Sequence, residues 1–258
     1  MGYRALVFAA LVTFVCGVLA PAVGAAAPLP PPPPTVTSAP APARTAISVR
    51  TATGLHWGTP NEHEVRSALS MAKLYLTGYA LRHGDGSAED LAYGERMIRY
   101  SDDAAADWMA AKYPDALSAI AAEYGLQESR PGPNWGASTT STADVADFLA
   151  AEQHTYPGSP ILRWMADAAP RAADGTEQNW GTAALPGVQG TKWGWSDVAP
   201  QEVASASFGT GFTVAAHTRG SPEEQTADVV GALSTVLAKL VGAGSPVGDV
   251  SAGTTGGR

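Results

Sequence analysis

Cysteine is almost absent from this chain of 258 residues, because Cys16 is the only one. It lies inside an apolar run, Ala5 to Ala20, which follows the basic Arg4 and precedes small residues from Val23 to Ala27. This pattern predicts a secretory signal peptide over residues 1–27, with retention as a membrane anchor as the alternative. After cleavage no cysteine would remain, so disulfides are excluded and the exported protein must depend on a packed core.

Basic residues are also few. The chain has 16 Lys and Arg against 24 Asp and Glu, a net charge of −8, and no basic run. This balance argues against polyanion binding, so no nucleic-acid partner is expected. The chain has no Gly-rich phosphate loop and no Cys/His cluster, and its five histidines lack metal-ligand spacing. We therefore expect no cofactor and no metal ion.

The two ends of the chain differ from its middle. Residues 28–45 are rich in proline and alanine and predict an extended linker, and residues 242–258 are rich in Gly, Ser and Thr and predict a disordered tail. Residues 46–241 remain for a single folded domain. We expect a monomer without a membrane span in its mature form, located outside the cytoplasm as a secreted, cell-wall or periplasmic protein.

Hydrophobic periodicity in residues 46–241 indicates an α+β domain. Strand-like alternation occurs near both ends, at Ala46–Thr51 and at Val188–Trp195, Glu202–Phe208 and Gly211–His217. The segments between them and after them have helical spacing. These predicted helices run from Asn61 or Thr59 to Arg82, from Ala88 to Tyr100, from Ala104 to Lys112, from Pro114 to Gly125, from Ser141 through Leu149, from Ser159 to Ala169, and from Pro222 to Leu240. The two chain ends are expected to share an antiparallel sheet, with an all-helical half between them.

Ser70 and Lys73 begin a long apolar segment in a Ser-x-x-Lys arrangement. Residues three apart share one face of a helix, so the hydroxyl and the amine can form a hydrogen bond. A serine becomes a useful nucleophile when a neighbouring base takes its proton, and a lysine kept neutral by burial can be that base. An exposed serine beside a lysine that extends to solvent is the alternative.

Two further motifs follow in order, Ser101-Asp102-Asp103 and Lys192-Trp193-Gly194. With Ser70-x-x-Lys73 they resemble the signatures Ser-x-x-Lys, Ser-Asp-Asn and Lys-Thr-Gly of the penicillin-recognising serine enzymes, the class A β-lactamases and D-alanyl-D-alanine peptidases. The resemblance runs from about Leu69 to Leu240 and implies a β-lactamase/transpeptidase-like fold. The active site would lie between the sheet and a helical half that is shorter than usual.

The resemblance also implies a role for each motif residue. Ser70 would be acylated, Lys73 would accept its proton, and Ser101 would pass the proton to the leaving group. The candidate substrate-binding residues are Asp103, Lys192, Gly194 and Trp195. Lys192 would attract a substrate carboxylate, Gly194 would let a substrate approach the strand, and the N–H groups of Ser70 and Trp195 would form an oxyanion hole.

Three departures from the family pattern affect these roles. Asp103 replaces an asparagine, and Trp193 replaces a hydroxyl residue whose hydrogen bond would have to come from Thr191 or Ser196. The family's Glu-x-x-Leu-Asn loop has no counterpart, and Glu128 is the nearest carboxylate. Because that glutamate activates the deacylating water in class A β-lactamases, slow deacylation is expected.

Several of these residues also have a purely structural interpretation. Asp102 and Asp103 would cap the following helix, and Trp193 and Trp195 would either line a cleft or pack between the sheet and the helices. Tryptophans in two Asn-Trp-Gly segments, Trp135 and Trp180, are weighed as stacking platforms for glycans.

The sequence therefore predicts an exported serine hydrolase that forms an acyl-enzyme with β-lactams or peptidoglycan peptides ending in D-Ala. The alternative is a degenerate member that binds wall peptide or a protein partner without turnover.

Overall fold

The computed structural model describes residues 41–233 together with 236, 237 and 239. The predicted signal peptide, most of the predicted linker and the predicted tail lie outside these residues. In the part that is described, no helix is both long and apolar enough to cross a membrane.

Five strands of the described residues form an antiparallel sheet. They are β1 (Thr45–Thr51), β2 (His56–Gly58), β5 (Val188–Trp195), β6 (Glu202–Gly209) and β7 (Phe212–Arg219). Two short strands, β3 (Arg66–Ser67) and β4 (Thr139–Thr140), lie between β2 and β5 along the chain. The order of the five strands in the sheet is β2-β1-β7-β6-β5, while β3 and β4 pair separately. Strand β1 pairs with β7 along its whole length. The prediction that the chain ends share one sheet is confirmed.

The helices of the described chain fill the middle and follow the last strand. They are α1 (Ala72–His83), α2 (Ala88–Arg99), α3 (Asp103–Lys112), α4 (Ala116–Tyr124), α5 (Thr142–Thr155), α6 (Pro160–Ala166) and α7 (Pro222–Leu233). The helices predicted from periodicity are found, with most ends shifted by a few residues. The predicted end of the last one, Leu240, lies outside the described residues. The α+β fold class is confirmed.

Alternation along the strands gives the sheet a core on each face. On β7, Ala215 belongs to the core shared with the middle helices, whereas Val214 and Ala216 belong to the core shared with α7. The helical core surrounds Phe148, whose ring meets that of Tyr75 edge-on at 5.2 Å between centroids. Small residues on the sheet allow the helices to pack closely against it.

The helix that carries the Ser-x-x-Lys motif begins later than predicted. Apolar spacing predicts a start at Asn61 or Thr59, but α1 begins at Ala72 after a 3₁₀ turn. The chain before that turn is extended and includes β3. At Leu69 the backbone has a φ of 50°, in the left-handed region, and this interrupts any helix passing through it.

Candidate active site

Ser70 lies in the 3₁₀ turn that leads into α1 and is 8% exposed. The left-handed Leu69 before it carries backbone strain of about 1–3 kcal/mol, which the surrounding packing must offset. Strand β5 passes so close that a Cβ on Gly194 would lie 2.8 Å from the amide nitrogen of Ser70. The turn therefore fixes the backbone N–H of Ser70 beside the edge of the sheet. Gly194 is needed for this approach of turn and strand, besides the predicted approach of a substrate.

Lys73 is fully buried one turn further along. Its Nζ contacts Ser70 Oγ at 3.0 Å, the Ser101 carbonyl oxygen at 2.6 Å, Ser101 Oγ at 3.3 Å, and Asp103 Oδ1. The hydrogen bond predicted from the three-residue spacing is present. Four oxygens surround a group that has at most three protons, so the amine is held in one position.

Ser101 lies at the junction of α2 and α3 with a φ of 51°. Asp102 caps α3 by accepting a hydrogen bond from the Ala105 N–H at 3.2 Å, and it pairs with Arg96. The capping interpretation is therefore right for Asp102. The unusual backbone angle directs both oxygens of Ser101 towards the buried amines.

Lys192 projects from β5 into the same site and is fully buried. Its Nζ donates to Ser101 Oγ at 2.7 Å and to the Trp193 carbonyl oxygen at 2.8 Å. The contacts form a continuous path from Ser70 Oγ to Lys73 Nζ, Ser101 Oγ and Lys192 Nζ. Such a path can carry a proton from the serine to a leaving group.

Burial lowers the pKa of both amines. For Lys73, burial has the largest effect, and the hydrogen bond and charge of Asp103 act in the opposite direction. For Lys192, burial and the charge of Lys73 together hold the pKa well below its usual value. The carboxylate of Asp103 is bonded to Lys73, so it offsets part of the effect of burial there.

The side chain of Asp103 remains 63% exposed while its Oδ1 contacts Lys73. Among the described residues, its Oδ2 has no hydrogen-bond partner. Asp103 lies in the first turn of α3, but its carboxylate belongs to the site. The predicted substrate-binding position is therefore adjacent to the catalytic candidates.

Trp195 ends β5, which is the outer strand of the sheet. The N–H of Ser196 donates to the Glu202 carbonyl at 2.9 Å, so the N–H of the preceding residue points away from β6. The Trp195 N–H thus faces the open edge of β5, the strand whose Gly194 packs against the Ser70 turn. This orientation is compatible with the predicted oxyanion hole.

Trp193 does not line an open cleft. It is 6% exposed, packs with Trp180 and Val203, and donates from Nε1 to the Trp180 carbonyl at 2.8 Å. Of the two alternatives, packing is right. Trp180 is itself 6% exposed, so it offers no face for glycan stacking.

Thr191 and Ser196 are the two residues that could supply the hydroxyl missing at position 193, and both hydroxyls make other hydrogen bonds. Thr191 is buried, and its Oγ1 lies 2.7 Å from Ser207 Oγ. Ser196 Oγ accepts from the Glu202 N–H at 2.9 Å and lies 3.3 Å from the Pro200 carbonyl. Neither residue replaces the hydroxyl absent at position 193.

The loop between α4 and α5 also borders the site. Its Trp135 places an aromatic face 4.8 Å from Lys73 Nζ, and the indole N–H donates to Asp107 at 2.7 Å. No sequence pattern indicates this contact, because Trp135 is 62 residues away from Lys73. The loop thus presents an indole to the buried amine.

Glu128 is directed elsewhere. Its Oε2 accepts from Ser141 Oγ at 3.2 Å, and its Oε1 lies 3.4 Å from His63. Burial and the nearby Asp144 raise its pKa. In the described part of the chain, the side chain of Glu128 makes no hydrogen bond with Ser70 or Lys73.

Asp174 is a rim residue that the sequence did not suggest. Its charge raises the pKa of Lys73, with a smaller effect than the charges of Asp103 and Asp102. The loop that carries it is fixed beside Ser101, because the Ala173 N–H donates to the Tyr100 carbonyl at 2.7 Å. The described residues contain no cluster of three or more His, Cys, Asp or Glu side chains that would hold a metal ion.

Solved structures with the same architecture are numerous. The chain is similar to penicillin-binding protein D2 from Listeria monocytogenes in its cefotaxime-bound form, with 17% identity and a TM-score of 0.52 over 71% of this chain and 92% of that one. It is also similar to a D-alanyl-D-alanine carboxypeptidase from Mycobacterium tuberculosis H37Rv, with 17% identity and a TM-score of 0.54 over 77% and 93%. The chain has the β-lactamase/transpeptidase fold.

A β-lactamase from Streptosporangium roseum has this fold too, with 15% identity and a TM-score of 0.56 over 77% of this chain and 92% of that one. The resemblance to the penicillin-recognising serine enzymes is confirmed at the level of the fold. No protein-family model matches the sequence, and no curated protein is significantly similar to it.

Proposed function

We propose that this protein is an exported serine hydrolase that forms an acyl-enzyme through Ser70. The observation that carries the proposal is the chain of contacts from Ser70 Oγ through Lys73 Nζ and Ser101 Oγ to Lys192 Nζ. Each group lies in a buried setting, and burial lowers the pKa of the amine that would act as the base. A module that only binds peptide has no evident need for this arrangement.

Acylation would proceed in two proton-coupled steps. Neutral Lys73 takes the proton of Ser70 as Oγ attacks the substrate carbonyl, and the N–H groups of Ser70 and Trp195 stabilise the oxyanion. Ser101 then passes a proton to the leaving group as its bond to the carbonyl carbon breaks. The strained backbone at Leu69 and Ser101 supports this role, because such strain is concentrated at functional sites.

Deacylation is proposed to be slow. Trp135 is the residue that the loop between α4 and α5 presents to Lys73, and Glu128 of that loop bonds to Ser141 instead. An indole cannot activate water as a base. The acyl-enzyme should therefore last much longer than one in which a loop glutamate activates the water.

The candidate substrates are β-lactams and peptides ending in D-Ala, which the motif resemblance implies. A degenerate protein that binds wall peptide or a protein partner is the second candidate. It is favoured by the carboxylate of Asp103 at an amide position and by the burial of Trp193 at a hydroxyl position.

The two candidates differ in covalent chemistry. The full mature chain is incubated with a labelled penicillin and, separately, with a neutral N-acetyl-D-alanyl thioester, and its intact mass is measured over time. The enzyme hypothesis predicts a mass increase equal to the acyl group, absent in Ser70→Ala. No Ser70-dependent adduct with either compound below millimolar concentration would contradict it and leave the binding role.

A further inference from the structure

Asp107 is an exposed residue of α3 that lies outside the three motifs. Its Oδ1 accepts a hydrogen bond from the Trp135 indole N–H at 2.7 Å, and the face of that indole lies 4.8 Å from Lys73 Nζ. Trp135 is half-buried whereas Lys73 is fully buried, so the indole separates the amine from solvent on the side of this loop. Asp107 thus reaches the site through one hydrogen bond.

The loop that carries the indole is fixed to the turn of the proposed nucleophile. The 3₁₀ turn Trp135–Ala137 packs against the 3₁₀ turn Leu69–Met71 and against α3. Directly after it, the Ser138 carbonyl accepts from the Ala68 N–H at 2.9 Å. These contacts set the position of the backbone, and the bond to Asp107 sets the orientation of the indole.

The indole is the neighbour of Lys73 that water could replace. In the described chain, the hydrogen bonds of this amine go to oxygens of Ser70, Ser101 and Asp103. A neutral amine can also accept a hydrogen bond, which water can donate and the face of an indole cannot. A water molecule admitted in place of the indole would therefore bind to the proposed base.

We propose that Asp107 is a positioning residue, which holds Trp135 against Lys73 and so keeps water away from the acyl-enzyme. This inference rests on the proposed acyl-enzyme function and concerns the lifetime of its intermediate. The indole takes no part in acylation, since the substrate brings its own leaving group and needs no water.

The step that the indole prevents is hydrolysis of the acyl group. The oxygen of a water molecule would bond to the acyl carbon while neutral Lys73 takes one of the water protons. The bond from the acyl carbon to Ser70 Oγ would then break, and Lys73 would return the proton to Oγ as the free acid departs. While the indole stays in place, the acyl group stays on Ser70.

The test compares two rates in each variant. The full chain is acylated at pH 7.5 with the neutral N-acetyl-D-alanyl thioester, and the burst of released thiol gives the acylation rate. The thioester is then removed rapidly, and the decay of the adduct, followed by intact mass, gives the deacylation rate. The ratio of deacylation to acylation is the readout, because a general loss of folded protein would not raise it.

We expect the ratio to rise about fivefold in Asp107→Ala, as for the loss of one hydrogen bond. Asp107→Asn should behave like the parent, because its Oδ1 can still accept from the indole N–H. Asp115→Ala, at the exposed start of α4, is the matched control and should leave the ratio unchanged. No rise in Asp107→Ala, or an equal rise in Asp115→Ala, would overturn the role of Asp107.

Two variants of Trp135 separate the hydrogen bond from the ring. Trp135→Phe removes the N–H, so adding Asp107→Ala to it should raise the ratio no further. Trp135→Ala removes the ring and should raise the ratio more than Asp107→Ala does. A further rise in the double variant, or a parental ratio in Trp135→Ala, would contradict the inference. If no Ser70-dependent adduct forms, the proposed function itself fails, whereas an adduct of equal lifetime in all variants overturns only this inference.

Discussion

Lys73 and Lys192 share one buried site, where among the described residues Asp103 is the carboxylate that contacts an amine. Removing an amine from water disfavours its charged form, and two adjacent amines disfavour it further. Asp103 stabilises the charge on Lys73, whereas Lys192 bonds to the Ser101 hydroxyl and the Trp193 carbonyl. We expect this arrangement to support proton transfer and to lower the stability of the folded chain.

Lys192→Met should make the protein more stable and less active. The substitution replaces a buried amine with an apolar side chain of similar length, and Ser101 Oγ keeps its contact with Lys73. We expect the free energy of unfolding at pH 7, measured with urea, to rise by about 1–3 kcal/mol. The acylation rate should fall, because the path of contacts from Ser70 through Lys73 and Ser101 would no longer include the amine of Lys192. A destabilised variant would show that Lys192 is a net stabilising residue.

The same variant should change the pH dependence of stability. A lysine whose pKa is lowered by folding binds its proton more readily in the unfolded chain, so the free energy of unfolding rises with pH between the lowered pKa and 10.5. Lys192→Met should reduce that slope. Urea titrations at pH 7, 8 and 9 measure it, and an unchanged slope would contradict the lowered pKa of Lys192.

Asp103→Asn should move the acid limb of the acylation profile. The carboxylate raises the pKa of Lys73 against the effect of burial, so its removal lets Lys73 lose its proton at a lower pH. The rate of adduct formation, measured from pH 5 to 9 with the neutral thioester, should therefore begin to rise at lower pH than in the parent. An acid limb shifted to higher pH would contradict Lys73 as the base.

At the scale of elements, the site depends on the packing of β5 against the turn before α1. Gly194 is the closest point, since its Cβ position lies 2.8 Å from the Ser70 nitrogen and 3.0 Å from the Leu69 Cβ. Neither neighbour is the end of a flexible side chain. The strand and the turn must separate if any side chain is introduced.

Gly194→Ala should therefore lower the acylation rate at least about tenfold, since small displacements of reacting groups are costly. The matched control is Gly231→Ala in α7, where a Cβ meets open space. The control should retain full activity and gain up to about 1 kcal/mol of stability, because alanine favours the helix. Burst kinetics with the neutral thioester measure both variants. A fully active Gly194→Ala would contradict this packing.

Sequence patterns predict the long elements and the contacts that depend on short spacing. The bond between Lys73 and Ser70 follows from helical periodicity, and the C-terminal end of α4 follows from Gly125, which has a φ of 67°. The strands β2, β3 and β4 have two or three residues each, too few to show alternation. The late start of α1 was missed because apolar spacing continues through the turn at Leu69.

For the whole molecule, the sheet and the helical half depend on burial without disulfides. His217 on β7 illustrates the consequence, because burial and the charge of Arg66 lower its pKa to about 3. Its Nε2 lies 3.1 Å from the Ser67 carbonyl, three residues before the proposed nucleophile. A neutral imidazole therefore joins the last strand to the chain that leads into α1.

His217 should make the folded protein sensitive to acid. In the unfolded chain the imidazole binds a proton below about pH 6.5, whereas the folded chain resists until about pH 3, so stability falls as the pH decreases through this interval. From pH 6.5 to 5 the loss attributable to this residue should be about 2 kcal/mol. His217→Gln should remove that loss, and His154→Gln on the surface should not. Equal acid sensitivity in the parent and His217→Gln would contradict the lowered pKa.

The whole-molecule arrangement also explains which site residues the sequence could identify. Ser101 and Lys192 were identified through the resemblance of their motifs, and the structure brings Lys192 Nζ within 2.7 Å of Ser101 Oγ. Trp135 and Asp174 belong to no motif, and their position depends on how two loops cross the cleft. Such contacts come from the path of the chain in three dimensions and leave no periodic signal.

The most direct test of the account is to locate the acyl group. The protein is treated with the neutral N-acetyl-D-alanyl thioester, quenched in acid during the burst and digested, and its peptides are sequenced by mass spectrometry. The account predicts a single acylated residue, Ser70, with the adduct lost in Ser70→Ala and strongly reduced in Lys73→Met. Acylation at another residue, or an adduct that persists in Ser70→Ala, would contradict it.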